Sequence, residues 1–226
     1  MPGTFSRCSA VVHKLPSNVS YIPSGLSDRK VFAIMFATME YSKQNLIEIV
    51  RQHALRFGDF TLASGKKATY YLDCRHVTLH PQGINQIACG ILDAITITYK
   101  DNLPDCVGGM AIGADPITAG VVMIAGQRNL STLGFMVRKE AKQHGMGRLV
   151  EGPVQPGMKA IIVEDVVTSG GSALQAVKAA RDFGLDILGV VAVIDRLEGG
   201  RAAFVAAGLD LITLLTIEDF GIPKPA

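Results

Sequence analysis

Apolar positions recur every three to four residues in "SKQNLIEIVRQHALRFG", placing Leu46, Ile49, Val50, Ala54 and Phe57 on one helical face. The spacing predicts a helix that Ser42 caps and Gly58 ends. The period then shortens. "DFTLASGKKATYYLD" reads as two short strands around a Ser64-Gly65 turn, and Pro81 opens a second helix, "PQGINQIACGILDAITITYK". Beyond it, fully apolar runs alternate with helical ones. "DCVGGMAIG", "STLGFMVRK", "MKAIIVED", "ILGVVAVIDR" and "LDLITLLTI" read as strands. Between them Pro116 starts the helix "PITAGVVMIAGQRN", "SALQAVKAARDFG" turns Leu174, Val177, Ala180 and Phe183 inward, and a short helix falls near Ala202–Ala207. Apolar strands separated by helices predict an α/β fold whose mostly parallel central sheet is covered on both faces.

Such a sheet places its ligands beyond the carboxyl ends of its strands. The informative residues are therefore Gly113-Ala114-Asp115, Arg138-Lys139-Glu140, Glu164 to Ser172, and Asp195-Arg196. The 226 residues, 48% of them hydrophobic, suit one domain with a full core. A net charge of +2 argues against bulk electrostatic binding of nucleic acid. No apolar run reaches the roughly 18–20 residues that span a bilayer, so no membrane contact is expected. Cys8, Cys74, Cys89 and Cys106 form no CxxC pair and read as ordinary thiols of a reducing, cytoplasmic compartment. The first residues, rich in Ser and Pro and without an acid before Asp28, read as a disordered and dispensable extension over 1–41, with a transit-like leader and a true start at Met39 as the competing readings.

Chemistry concentrates in three places. In "VEDVVTSGGS", Glu164 and Asp165 lead through Val166 and Val167 into Thr168, Ser169, Gly170, Gly171 and Ser172. The glycines let backbone N–H groups approach a ligand, and the helix that follows offers its positive end to a phosphate. Two acids would repel a lone phosphate. A sugar phosphate removes the conflict, because carboxylates accept hydrogen bonds from ribose hydroxyls while the loop holds the phosphate. The glycine spacing matches neither a Walker loop nor a dinucleotide fingerprint. The alternative is a capped turn with solvated acids. Next, "RKEAKQHGMGRLVEG" gathers Arg138, Lys139, Lys142, His144 and Arg148 among glycines that spoil a helix, and reads as a mobile cationic loop suited to diphosphate. Finally, Arg196 follows a buried strand, where its fork can take a carboxylate or simply pair with Asp195 or Glu198. His76 and His80 lack the context of a metal site and read as loop histidines.

The acid-acid-x-x-Thr-Ser-Gly-Gly-Ser stretch closely resembles the 5-phosphoribosyl 1-diphosphate (PRPP) signature of type I phosphoribosyltransferases. "RKEAKQHG" resembles the catalytic loop of the orotate phosphoribosyltransferases in that superfamily, and "FTLASGKKATYYLDCR" resembles their N-terminal hood over the base. The resemblance covers about residues 42–222. It implies the type I phosphoribosyltransferase fold, in one domain over 42–226 with a hood at about 58–80 and a core at about 81–222. It implies transfer of a phosphoribosyl group from PRPP to orotate, with Lys142, Lys139, His144 and Asp165 in catalytic roles. PRPP contacts are implied for Arg138, Lys139, Lys142, His144 and Glu164 through Ser172, and orotate contacts for Thr168 and Arg196. Magnesium held mainly by PRPP and water, and a homodimer sharing its active sites, are implied as well. Which of Lys66, Lys67, Tyr70 and Tyr71 meets substrate stays open. Ala63 and Gly113-Ala114-Asp115 stand where some relatives carry lysines, so those phosphate contacts are not carried over. Two rivals compete. A purine or uracil phosphoribosyltransferase leaves the cationic loop and Arg196 unexplained. A PRPP-sensing regulator predicts a missing cationic loop or a basic nucleic-acid face.

Overall fold

A computed structural model describes residues 40–61, 67–140 and 149–225. The Ser64-Gly65 turn, Lys66, Ala63, Lys142, His144, Arg148 and residues 1–39 lie outside the described residues. Helix α1 (Lys43–His53) starts where the sequence expects, with the Ser42 side chain accepting from the Asn45 N–H at 3.3 Å and with Leu46 and Val50 buried. It ends earlier than expected. Strand β1 (Leu55–Thr61) pairs antiparallel with β2 (Lys67–Leu72), which pulls Phe57 out of the helical register and leaves it 66% exposed. Gly58 is no helix stop. It has φ +152° inside a bulge between Phe57 and Phe60, where ladder hydrogen bonds replace helical ones.

The one-turn helix α2 (Arg75–Thr78) leads into α3 (Pro81–Thr98). His76 therefore sits in a helical turn and not a loop. His80 caps α3, accepting from the Gly83 N–H at 3.4 Å, and stacks on His53 with centroids 4.5 Å apart. A structural role thus replaces the bare loop histidine.

The main sheet follows. Its elements are β3 (Cys106–Met110), α4 (Asp115–Gln127), β4 (Leu133–Val137), β5 (Val150–Glu151), β6 (Lys159–Val167), α5 (Gly171–Phe183), β7 (Asp186–Asp195), α6 (Gly200–Ala206) and β8 (Leu211–Thr216). A 3-10 turn (Ile217–Phe220) comes after β8. The strand order is β5-β4-β3-β6-β7-β8, parallel throughout except where β5 runs antiparallel to β4. That edge strand falls in a stretch the sequence marks only as polar.

Alternation along β6 builds two cores. Ile161 and Val163 join Leu46, Ile87, Ile117 and Leu215 on one face, while Ala160 and Ile162 join Phe135, Val177 and Phe204 on the other. On α5 the buried stripe is Ala173, Ala176, Val177, Ala179 and Ala180. Leu174 and Phe183 flank this stripe and are only half-buried, because small side chains let the helix approach the sheet.

The sheet opens at one place. Pairing of β3 with β6 ends at Gly108 and Ile162, whereas pairing of β6 with β7 runs on to Val167 and Asp195. The last residues of β6 therefore stand clear of β3. Chain connections leave in opposite directions from this point, which is where parallel α/β sheets hold ligands.

Candidate active site

Strand β6 carries the two acids further inside the fold than the sequence implies. It runs on to Val167, so Glu164 and Asp165 lie within the strand and not just after it. Successive residues of a strand face opposite ways. Glu164 turns toward Ser172 of α5 and is 6% exposed. Asp165 turns toward the other face, where a Cβ on Gly113 would sit 3.3 Å from its Oδ1 and where its charge helps raise the buried Cys74 thiol after burial itself. One carboxylate thus faces the Thr168–Ser172 loop, and the other faces the turn after β3.

Burial foremost, then the Asp165 charge, pushes the Glu164 carboxyl up to about 8. Its Oε2 has no hydrogen-bond partner among the described residues. Burial thus favours the neutral form of Glu164, which lowers the negative charge of the site. Asp165 accepts from the Val166 N–H at 2.8 Å.

After β6 the chain turns through Thr168 and Ser169 into Gly170, which caps α5 at φ +82°, a left-handed conformation that favours glycine. The first turn of α5, with Gly171 and Ser172, presents its N–H groups at this mouth. The loop is laced to its neighbour. The Arg196 N–H donates to the Val167 carbonyl at 2.9 Å and the Gly200 N–H to the Thr168 carbonyl at 3.0 Å. Gly200 is required there, since a Cβ would meet Val167 Cγ1 at 2.2 Å.

That lacing brings Arg196 to the Thr168–Ser172 loop. Its Nε donates to the Tyr70 hydroxyl at 3.0 Å, its carbon Cζ lies 5.2 Å from the Tyr70 ring centre, and its Nη2 meets Glu198 Oε1 at 2.8 Å. The hood tyrosines thereby separate. Tyr70 joins Arg196, while Tyr71 is exposed and packs on Phe60 at 5.8 Å. The signal for this was present in β2, where Ala68, Tyr70 and Leu72 are half-buried and Lys67, Thr69 and Tyr71 exposed. Asp195, fully buried, accepts from the Leu197 N–H at 2.8 Å and shapes the turn that carries Arg196. The sequence places Asp195 among the informative strand-end residues and offers it as an ion-pair alternative for Arg196. The Arg196 pair is in fact with Glu198.

The cationic segment is described at its stems. The Arg138 N–H donates to the Leu149 carbonyl at 2.8 Å, its Nη1 lies 3.8 Å from Glu151 Oε1, and Lys139 is exposed. Lys67 is exposed on β2. Asp115 begins α4, and burial raises its carboxyl. Among the described residues no group of three His, Cys, Asp or Glu side chains could hold a metal ion by itself.

No protein-family model matches the chain. It is 59% identical over 179 residues to the orotate phosphoribosyltransferase of Rhodopirellula baltica, covering 78% of this chain and 93% of that one. It is 38% identical over 180 residues to the enzyme of the same name from Aquifex aeolicus, covering 78% and 96%. Among solved structures it resembles Mycobacterium tuberculosis H37Rv orotate phosphoribosyltransferase in complex with PRPP, with TM-score 0.68 and 32% identity, covering 80% of this chain and 99% of that chain. Adenine phosphoribosyltransferase from Leishmania tarentolae, at TM-score 0.55 and 12% identity over 79% of this chain and 89% of that one, shares the fold.

Proposed function

The chain belongs to the orotate phosphoribosyltransferase family, and from that premise we propose how its residues transfer the phosphoribosyl group of PRPP to orotate, giving orotidine 5′-monophosphate and diphosphate for pyrimidine synthesis. One observation carries the assignment of parts. Hydrogen bonds between the β6 and β7 ends put Arg196 beside the Thr168–Ser172 loop, so a carboxylate reader and a phosphate cradle share one mouth.

The loop N–H groups and the Thr168, Ser169 and Ser172 hydroxyls hold the 5′-phosphate at the start of α5. Glu164, on the side of the Thr168–Ser172 loop, and Asp165, on the side of the turn after β3, flank the ribose. In the reaction the bond from ribose C1 to diphosphate lengthens ahead of attack by the orotate ring nitrogen, and positive charge builds on the sugar. Asp165 opposes that charge, and Glu164 hydrogen-bonds a ribose hydroxyl. Preorganised charge of this kind is often the largest catalytic contribution. Arg138, Lys139, Lys142 and His144 take the opposite charge on the departing diphosphate, and Arg196 with Thr168 orients orotate through its carboxylate. Closing the cationic segment over PRPP would exclude water that otherwise hydrolyses it.

Magnesium suits this donor set. Asp165 would offer hard carboxylate oxygens, and Glu164 Oε2, without a partner among the described residues, would reach the ion only through a water of its shell. When bound, the ion neutralises charge on the diphosphate. The reading extends to one catalytic domain over 42–226, a homodimer with shared sites, and a cytoplasmic setting that suits the buried thiols of Cys74, Cys89 and Cys106.

The test is the absorbance change of orotate with PRPP and magnesium, with uracil and hypoxanthine as controls. Turnover with orotate alone is expected. Its absence, or turnover with hypoxanthine, would overturn the reading.

A further inference from the structure

Arg196 is already engaged. Its Nη2 meets Glu198 Oε1 at 2.8 Å, and the two side chains are 23% and 30% exposed. The pairing is built into the turn. Leu197 takes a left-handed conformation at φ 58°, its N–H is held by the buried Asp195, and Gly199 follows at φ 96°. That path returns residue 198 to the side of residue 196. Downstream, the Gly200 N–H anchors the turn to the Thr168 carbonyl.

An orotate carboxylate arriving at Arg196 would make a second anion on one guanidinium. Two carboxylates on one guanidinium repel each other, which favours the departure of one. The Tyr70 hydroxyl is neutral and has no reason to leave. Glu198, in contrast, lines a cavity of about 710 Å³ together with Asp195, Leu197, Arg201 and Lys224, and so has space, and cations among the lining residues, to receive it.

We propose that Glu198 is a built-in carboxylate that occupies the place of the orotate carboxylate on Arg196, yields it when orotate binds, and returns to help expel the product. This rests on the reading of Arg196 as the orotate contact. Glu198 acts through Arg196 and is a positioning residue. It keeps the guanidinium extended in the empty site and weakens substrate and product alike, since orotidine 5′-monophosphate keeps the same carboxylate. It also adds specificity. A pyrimidine without a carboxylate cannot displace it and meets a closed ion pair.

Glu198→Gln removes the competing charge at nearly constant shape. The KM for orotate and the inhibition constant of orotidine 5′-monophosphate should both fall roughly three- to tenfold, the size of a partly exposed ion pair. The KM for PRPP should be unchanged, and kcat equal or lower as product leaves more slowly. A Glu198→Asp variant, with a shorter reach to Nη2, should tighten both ligands less, and calorimetric titration of the product onto each folded variant gives the second measure. Unchanged or weaker orotate and product affinity in Glu198→Gln overturns the proposal. Arg196→Ala separates the two levels. If it keeps normal orotate affinity, the underlying assignment fails. If it loses orotate affinity while Glu198→Gln tightens nothing, only the role of Glu198 fails.

Discussion

Replacing Glu164 with Gln should make the folded chain more stable at alkaline pH and a worse binder of PRPP. The carboxyl is 6% exposed, beside Asp165, and its Oε2 lacks a partner among the described residues. Burial and that neighbour raise its pKa from 4.5 to about 8. Between those two values the folded chain holds a proton that the unfolded chain releases. The contribution is therefore most favourable below the unfolded value and is lost progressively as pH rises toward about 8. Each unit is worth about 1.4 kcal/mol, which sets a ceiling of about 5 kcal/mol. Coupling to Asp165 shares the effect, so roughly 2–5 kcal/mol is expected at pH 8 and little near pH 5. Urea denaturation of both chains at pH 5, 6, 7 and 8 measures it. Asp115, raised by burial, and Asp73 and Asp219, held low by Arg75 and Lys43, occur in both chains and cancel in the difference. A stability difference that does not grow with pH would refute the reasoning. So would a Gln variant less stable than the parent at pH 8. A gain in stability with a loss of PRPP affinity is what a site strained for function predicts.

Other perturbations probe the remaining parts. Lys142→Ala should lower steady-state turnover by roughly ten- to a thousandfold, as for a lost transition-state contact, and near-normal turnover would remove it from the mechanism. Tyr70→Phe deletes the acceptor of the Arg196 Nε hydrogen bond, so the KM for orotate should rise roughly three- to tenfold while that for PRPP stays level; a matched rise in both would show a general loss of fold. Gly200→Ala would set a Cβ 2.2 Å from Val167 Cγ1 and 2.9 Å from the Thr168 carbonyl. It should cost about 1–3 kcal/mol in thermal unfolding and weaken PRPP, and an unshifted melt would show that the lacing tolerates displacement.

Much of this molecule is readable without coordinates because its signals are local. The period of apolar residues places most strands and helices, since a helix or strand must bury one face wherever it sits. The "VEDVVTSGGS" stretch identifies a strand end, a glycine turn and a helix start, all within ten consecutive residues. Arg138, Lys139 and Arg196 lie just beyond apolar strands, as the pattern predicts. The sequence reading went wrong where tertiary pairing overrules a local pattern. Phe57 fits the helical period of α1, but β1 and β2 exchange ladder hydrogen bonds and remove it to the surface.

Other features belong only to the fold. That Glu164 and Asp165 face opposite sides of β6, and that burial favours the neutral form of Glu164, depends on how far the strand extends past β3 and on the helix packed over it. That Arg196 meets Tyr70, 126 positions away in the chain, depends on the hood folding back over the sheet. Its pairing with Glu198 needs a left-handed Leu197 held by the buried Asp195. The sequence by itself determined which ligand chemistry the strand ends can offer, because residue type and spacing decide charge and hydrogen-bonding capacity. Tertiary structure alone decided which of those charges survive burial and which side chains share a mouth, because desolvation and distance exist only once the chain has folded.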